Sequence, residues 1–126
     1  MTDTQGVPLA AALSAANLAE GLTLPTMVEA AQAVLPEDQS IQATHADKAY
    51  DHRANRIYCR VNHLRCNVPE RGQKETALGR KRWVIERTFA WLKRFRRLAV
   101  RYDRRADIHL ALLLLGCALI AENFRR

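Results

Sequence analysis

Apolar and polar positions along the chain change period several times, and each change marks an element. Residues 80–100 (RKRWVIERTFAWLKRFRRLAV) follow the helical repeat of 100° per residue, which predicts one continuous amphipathic helix. Val84, Trp91, Phe95 and Leu98 fall in one narrow sector, with Ile85, Thr88 and Leu92 beside it. Residues 41–47 (IQATHAD) alternate in the manner of a short strand, and Asp47 stands at its C-terminal end. Residues 6–14 (GVPLAAALS) read as a short buried strand entered after a turn, although alanine has weak strand propensity. Pro25 suits the first turn of a helix over 26–35, with Thr23 or Thr26 as cap, and 36–40 (PEDQS) is a breaker cluster. A helix over 52–64 follows, capped by Asp51, with Ile57, Val61 and Leu64 on its inner face. Residues 65–68 form an edge strand stopped by Pro69, and 70–79 form a mobile loop. After a basic turn at 101–105, Asp107 caps a final helix over 108–124. That helix is apolar nearly all round and is expected deep in the core. The order strand–helix–strand–helix–strand–helix–helix is that of an α/β domain with about three short strands and C-terminal helices.

At 126 residues the chain fits one domain, 1–126, with room for a core without disulfide staples. No charged prefix precedes an apolar stretch at its start, so no signal peptide is read. The longest apolar run, 110–121, has twelve residues. As a helix it spans about 18 Å, short of the ~20 residues that cross a bilayer. A cytoplasmic protein with no membrane partner is the expectation. Cys59, Cys66 and Cys117 are an odd, sparse set that fits a reducing compartment. His52, Cys59, His63 and Cys66 match none of the usual paired zinc spacings.

Charge changes the picture more. Residues 1–47 hold six acids and no Lys or Arg, whereas 48–126 hold all 20 basic residues and seven acids. Trp83, Phe89, Trp91, Phe95 and Tyr102 are interleaved with those cations. A polyanion partner, most simply nucleic acid, fits that block; solubilised helical faces fit it equally well. On the polar side of 80–100, Arg82, Glu86, Lys93 and Arg97 share one stripe, spaced four, seven and four residues apart. By spacing alone this is a solvated face with one Arg–Glu pair worth a few tenths of a kcal/mol.

Two segments carry a resemblance that shifts this weighing. Residues 46–51 (ADKAYD) and 84–98 (VIERTFAWLKRFRRL) resemble the DDE transposases of bacterial insertion sequences, families four and five. Residues 6–10 (GVPLA) and 100–103 (VRYD) are similar to the usual context of those motifs, so the likeness runs over essentially the whole chain. The family marks its last catalytic region with tyrosine, two residues, arginine, three residues, glutamate, six residues and lysine. Arg82, Glu86 and Lys93 match that spacing; Gly79 stands at the tyrosine position.

The resemblance implies a ribonuclease-H-like fold and metal-dependent phosphoryl transfer on DNA. It makes Asp47 the second catalytic acid and Glu86 the third, both as ligands of Mg²⁺ or Mn²⁺ in a two-metal site. Hard divalent cations take oxygen donors, and carboxylates supply them with compensating charge. Arg82, Lys93 and Arg97 would then hold DNA phosphates near the metals. The first catalytic aspartate has no counterpart here. Asp3 falls where relatives carry an aspartate outside the catalytic position, and Ala19-Glu20 replaces a common His-Asp. The expectation is the C-terminal portion of the catalytic domain: an incomplete ribonuclease-H-like fold without its first strands or N-terminal DNA-binding segment. Such a chain is inactive alone, belongs in a transposase multimer, and needs a second chain or upstream product to supply the first Asp. The alternative is a non-catalytic basic module that binds DNA or modulates a full-length transposase. A third is an unstable fragment with an unpaired sheet edge.

Overall fold

The computed structural model describes residues 1–15, 17, 20–70 and 79–125, with residues 20 and 80–82 described by backbone alone. Two compact units result: Ser14–Arg80, and Met1–Leu13 together with Lys81–Arg126.

The contiguous unit is built around a strand–helix–strand element. Its first α-helix is α1 (Leu24–Gln32), which has Pro25 in its first turn and buries Leu24, Val28 and Ala31 along one edge. The helix stops short of residue 35 because Val34 N and Leu35 N donate to Ala31 O and Gln32 O, tightening the last turn ahead of Pro36. Gln32 then ties down the loop that follows, donating to Gln39 O and accepting from Ile41 N.

The alternating run yields β1 (Ala43–His45), with Thr44 buried. Next comes α2 (Arg53–Val61), and then β2 (Arg65–Asn67), which pairs parallel to β1 with Thr44 opposite Cys66. Among the described residues the sheet has these two strands, not three. The N-cap of α2 is His52, not Asp51; the Asp51 carboxylate instead pairs with Arg56 at 2.7 Å.

The inner face of α2 also differs from the pattern. Ile57 and Val61 are 51% and 69% exposed, and Asn55 and Cys59 take the buried side. The cause is polar: Asn55 Nδ2 donates to Gly21 O (2.5 Å) and Tyr50 O (2.8 Å), and these two carbonyls fix the roll of the helix. Gly21 permits that approach, because a Cβ there would lie 2.0 Å from Ala49 O.

In the second unit the strand expected over 6–14 is absent. Residues 2–8 make a tight turn closed by a single antiparallel bridge between Thr2 and Pro8. The Asp3 carboxylate accepts from Gln5 N and Val7 N at 2.8 Å each, and Gly6 adopts φ +84°. Pro8 offers no N–H to a ladder and the alanines that follow add little strand preference, so turn chemistry wins.

The helix expected over 80–100 is two helices. Its first part is α3 (Gly79–Leu92), and after a break comes α4 (Arg96–Ala99), with Phe95 extended between them. A straight helix would hold Lys93, Arg94, Arg96 and Arg97 within one turn of each other, where like charges repel. The break also brings Phe95 and Leu98, with Leu92, against Gly116 of α5 (Ala106–Asn123). Arg105 rather than Asp107 is the N-cap of α5, and Asp107 sits in its first turn, paired with Arg105.

The expectation that this last helix lies deep in the core is overturned. Only Gly116 and Ile120 of α5 are buried, while Ile108, Leu114, Leu115 and Leu119 are 41–57% exposed. Periodicity registers that a helix is apolar, but burial needs an opposing surface. By length and composition α5 is one helix apolar enough to cross a membrane, with 11% of its residues buried. Of the 70–79 loop, residues 71–78 lie outside the described residues.

Candidate functional site

Asp47 is positioned by the end of β1. Two residues past the strand the chain turns into a short 3₁₀ segment, Lys48–Tyr50, and Asp47 is its N-cap. Its Oδ1 accepts from Ala49 N at 2.9 Å, which fixes the carboxylate at an exposed strand end. Its other oxygen makes no hydrogen bond among the described residues. Carboxyl ends of parallel strands are where open α/β sheets gather ligand-binding groups.

Glu86 is exposed on α3 in the other unit. Lys93 follows the helix end, but its N–H still donates to Phe89 O at 2.9 Å, so the helical path continues through it. Seven residues apart, Glu86 and Lys93 therefore share one solvent-facing side. The Arg82 side chain lies outside the described residues. Arg97 has left the stripe: it sits on α4 and pairs with Asp103 at 2.5 Å. Asp103 is itself largely buried, and its Oδ2 has no hydrogen-bond partner among the described residues.

Sequence reasoning missed what holds α3 in place. Thr88 Oγ1 donates to Gly6 O at 2.6 Å, and the adjacent Arg87 donates through Nη2 to Gln5 O. The Arg87 guanidinium is also stacked between Trp83 and Trp91, 4.4 and 4.9 Å from their ring centroids. Gly6 makes this clip fit, since a Cβ there would lie 3.0 Å from Thr88 Oγ1 and 3.3 Å from Val84 O. The two residues after Glu86 thus fasten its helix to the 3–8 turn and set its roll, which keeps Glu86 and Lys93 outward. A signal was present: Thr88 falls beside the apolar sector, and a polar group on a buried face needs a partner.

Asp47 in one unit and Glu86 in the other each present an exposed carboxylate, the donor type that Mg²⁺ and Mn²⁺ take. Among the described residues no group of three or more His, Cys, Asp or Glu comes together. His52, Cys59, His63 and Cys66 are therefore not gathered into such a group. Burial first, and then the neighbouring Cys59 thiol, push the Cys66 thiol up, the opposite of what a thiolate ligand needs.

The comparisons with known proteins cover the same length of chain. A family model described as "Transposase DDE domain" matches residues 1–121. A protein of Burkholderia cepacia, assigned as the transposase for insertion sequence element IS402, is 39% identical over 131 residues. That match takes in 100% of this chain and 62% of the relative, so the chain spans less than two thirds of the relative's length. No solved structure matches.

Proposed function

This chain belongs to the transposase DDE domain family, and from that premise we propose that it carries part of a metal-dependent DNA strand-transfer site. In this reading Asp47 and Glu86 are two of three carboxylates that hold divalent cations, and the fold is an incomplete ribonuclease-H-like domain. The observations that favour it are the family match over 1–121 and the exposed carboxylates at a strand end and on a clipped helix.

When bound, a pair of Mg²⁺ or Mn²⁺ ions supplies a nucleophilic oxygen and stabilises the leaving oxygen of an in-line phosphoryl displacement. The chain's own residues position and neutralise. Asp47 presents a carboxylate whose rotation is limited by the Ala49 N–H. Glu86 presents another from a helix whose roll is set by Arg87 and Thr88. Lys93, on the same side as Glu86, meets a DNA phosphate as a point charge, and Arg82 precedes Glu86 by one helical turn. Arg97 reaches a phosphate only by exchanging Asp103 for it. The third carboxylate comes from a second chain or upstream product, within a cytoplasmic transposase multimer.

The test is incubation of the chain with Mg²⁺ or Mn²⁺ and duplex DNA bearing insertion-sequence ends. Alone it neither nicks nor joins strands. Robust cleavage abolished by Asp47→Asn or Glu86→Gln would overturn the incompleteness and keep the site.

A second reading, a non-catalytic DNA-binding module, is favoured by the basic elbow at 93–105. It presents Lys93, Arg94, Arg96, Arg101, Arg104 and Arg105 beside an exposed Tyr102. Binding of that kind falls steeply with salt and survives loss of both carboxylates.

A further inference from the structure

Cys59 and Cys66 belong to two elements that the fold brings face to face. In the parallel pair Cys66 of β2 stands opposite Thr44 of β1, which puts their side chains on one face of the sheet. The helix α2 covers that face: its Cys59 is buried, with Sγ 3.9 Å from Thr44 Oγ1. The Cys59 and Cys66 thiols meet there as hydrogen-bond neighbours. The backbone between them is already folded back. His63 takes φ +55°, Leu64 N donates to Cys59 O at 2.8 Å, and Arg65 N donates to Gln42 O at 3.0 Å. Cys59 is closed to solvent, whereas Cys66 is only half-buried. A single buried cysteine is a small apolar side chain and calls for no further role. Two thiols in contact, one of them open to solvent, are a different chemical object. A bond between them closes a loop whose ends the backbone hydrogen bonds already hold.

We propose that Cys59 and Cys66 form a redox-responsive dithiol, which hydrogen peroxide converts into a disulfide that staples α2 to β2. The half-buried Cys66 reacts first. Its thiolate attacks one peroxide oxygen, the O–O bond breaks, and the departing hydroxide takes up a proton and leaves as water. Cys66 is then a sulfenic acid. Cys59 gives up its proton and attacks the Cys66 sulfur, so that the S–S bond forms as the S–O bond breaks and a second water leaves. Two thiols and one peroxide thus give one disulfide and two waters, and the two electrons lost by sulfur reduce the peroxide. A small thiol reverses the change by exchange. Burial pushes the Cys66 thiol up, so its thiolate is scarce at neutral pH and the first step is slow. The pair therefore answers sustained rather than brief exposure. Asp47 lies two residues past the β1 strand that this staple secures, and the link restricts the unfolded chain, so oxidation stabilises the 14–80 unit.

The test exposes the folded full chain, reduced beforehand, to a modest excess of hydrogen peroxide. After the remaining thiols are alkylated and the chain is cut with trypsin, mass spectrometry should find residues 57–60 (IYCR) joined to residues 66–71 (CNVPER) with two hydrogens lost. Dithiothreitol should release the two peptides. The oxidised chain should melt about 5 °C or more above the reduced one. Cys66→Ser should abolish both the link and the rise, and Cys117→Ser, in the other unit, should leave both unchanged. Phenylarsine oxide, which bridges adjacent thiols, should bind the reduced chain one to one and the Cys66→Ser variant at least tenfold more weakly. Its binding to the unsubstituted chain tests the pair even where a serine variant loses the fold.

Oxidation that stops at a Cys66 acid without a link overturns the proposal. So does a link that runs to Cys117, a link that forms only in denaturing urea, an oxidised chain that melts no higher than the reduced one, or a reduced chain that ignores the arsenical. Neither DNA nor metal enters the experiment, so its outcome is independent of the catalytic reading.

Discussion

The helices α2 and α5 make opposite use of their side chains, and the two units differ accordingly. In the 14–80 unit a nine-residue, mostly polar helix buries only Asn55 and Cys59. Two hydrogen bonds from Asn55 to the carbonyls of Gly21 and Tyr50 hold it in place. In the other unit an eighteen-residue apolar helix buries only Gly116 and Ile120. The first unit joins a small apolar core (Leu24, Val28, Ala31, Cys59 and Val68) to a few directional contacts; the second leaves much of the apolar surface of α5 exposed. Apolar content therefore does not rank the two for burial. What a helix buries is decided by the surface it meets, and a polar pin can outrank a run of leucines.

The sharpest way to break this comparison is at the tightest contact of the polar unit. Gly21→Ala places a methyl against the Ala49 carbonyl and the His52 ring. It should cost about 3 kcal/mol in urea unfolding, because backbone cannot yield as a side-chain end does. A loss under about 0.5 kcal/mol, the range of ordinary surface changes, would show that the pinned turn is looser than described.

The apolar unit offers a paired test. Ile120→Ala should cost about 2–4 kcal/mol through a cavity, while Leu115→Ala, equally apolar and 57% exposed, should change stability by about 0.5 kcal/mol or less. Equal losses at the two positions would restore the fully buried helix. Thr88→Val keeps the shape but removes the bond to Gly6 O, and should cost about 1–2 kcal/mol in denaturant titration. No change there would mean that packing alone sets the roll of α3.

The smallest effect belongs to Asp107. The Arg105 hydrogen bond holds its carboxyl below the usual range, so the pair contributes above the ordinary carboxylate value and is lost as acid protonates it. Both groups are exposed, and Asp107→Asn should leave the melting temperature at neutral pH unchanged.

How far the sequence foretold this fold depends on which force governed each element. β1, α2 and β2 followed alternation and breakers, signals local to their own residues. The break between α3 and α4 came from four crowded cations and from the need of Phe95 and Leu98 to reach Gly116, and neither is visible in a 3.6-residue period. The 6–14 strand failed because Asp3 and Gly6 build a turn that competes with a ladder. The place of Asp47 just past a strand end was legible in the alternation, and the common side of Glu86 and Lys93 in the helical spacing. Arg97 was not, because its partner Asp103 lies past the helix that the pattern extended too far. The clip from Arg87 and Thr88 to Gln5 and Gly6 joins residues 82 apart, beyond the reach of any local pattern.

That clip bears on how the chain is made. One unit is a single contiguous stretch, whereas the other is assembled from the first thirteen residues and the last forty-six. During synthesis the contiguous stretch can close as soon as it leaves the ribosome, while the opening turn waits for a helix translated more than eighty residues later. Closing so long a loop is entropically slow, so the segment bearing Glu86 reaches its final setting last.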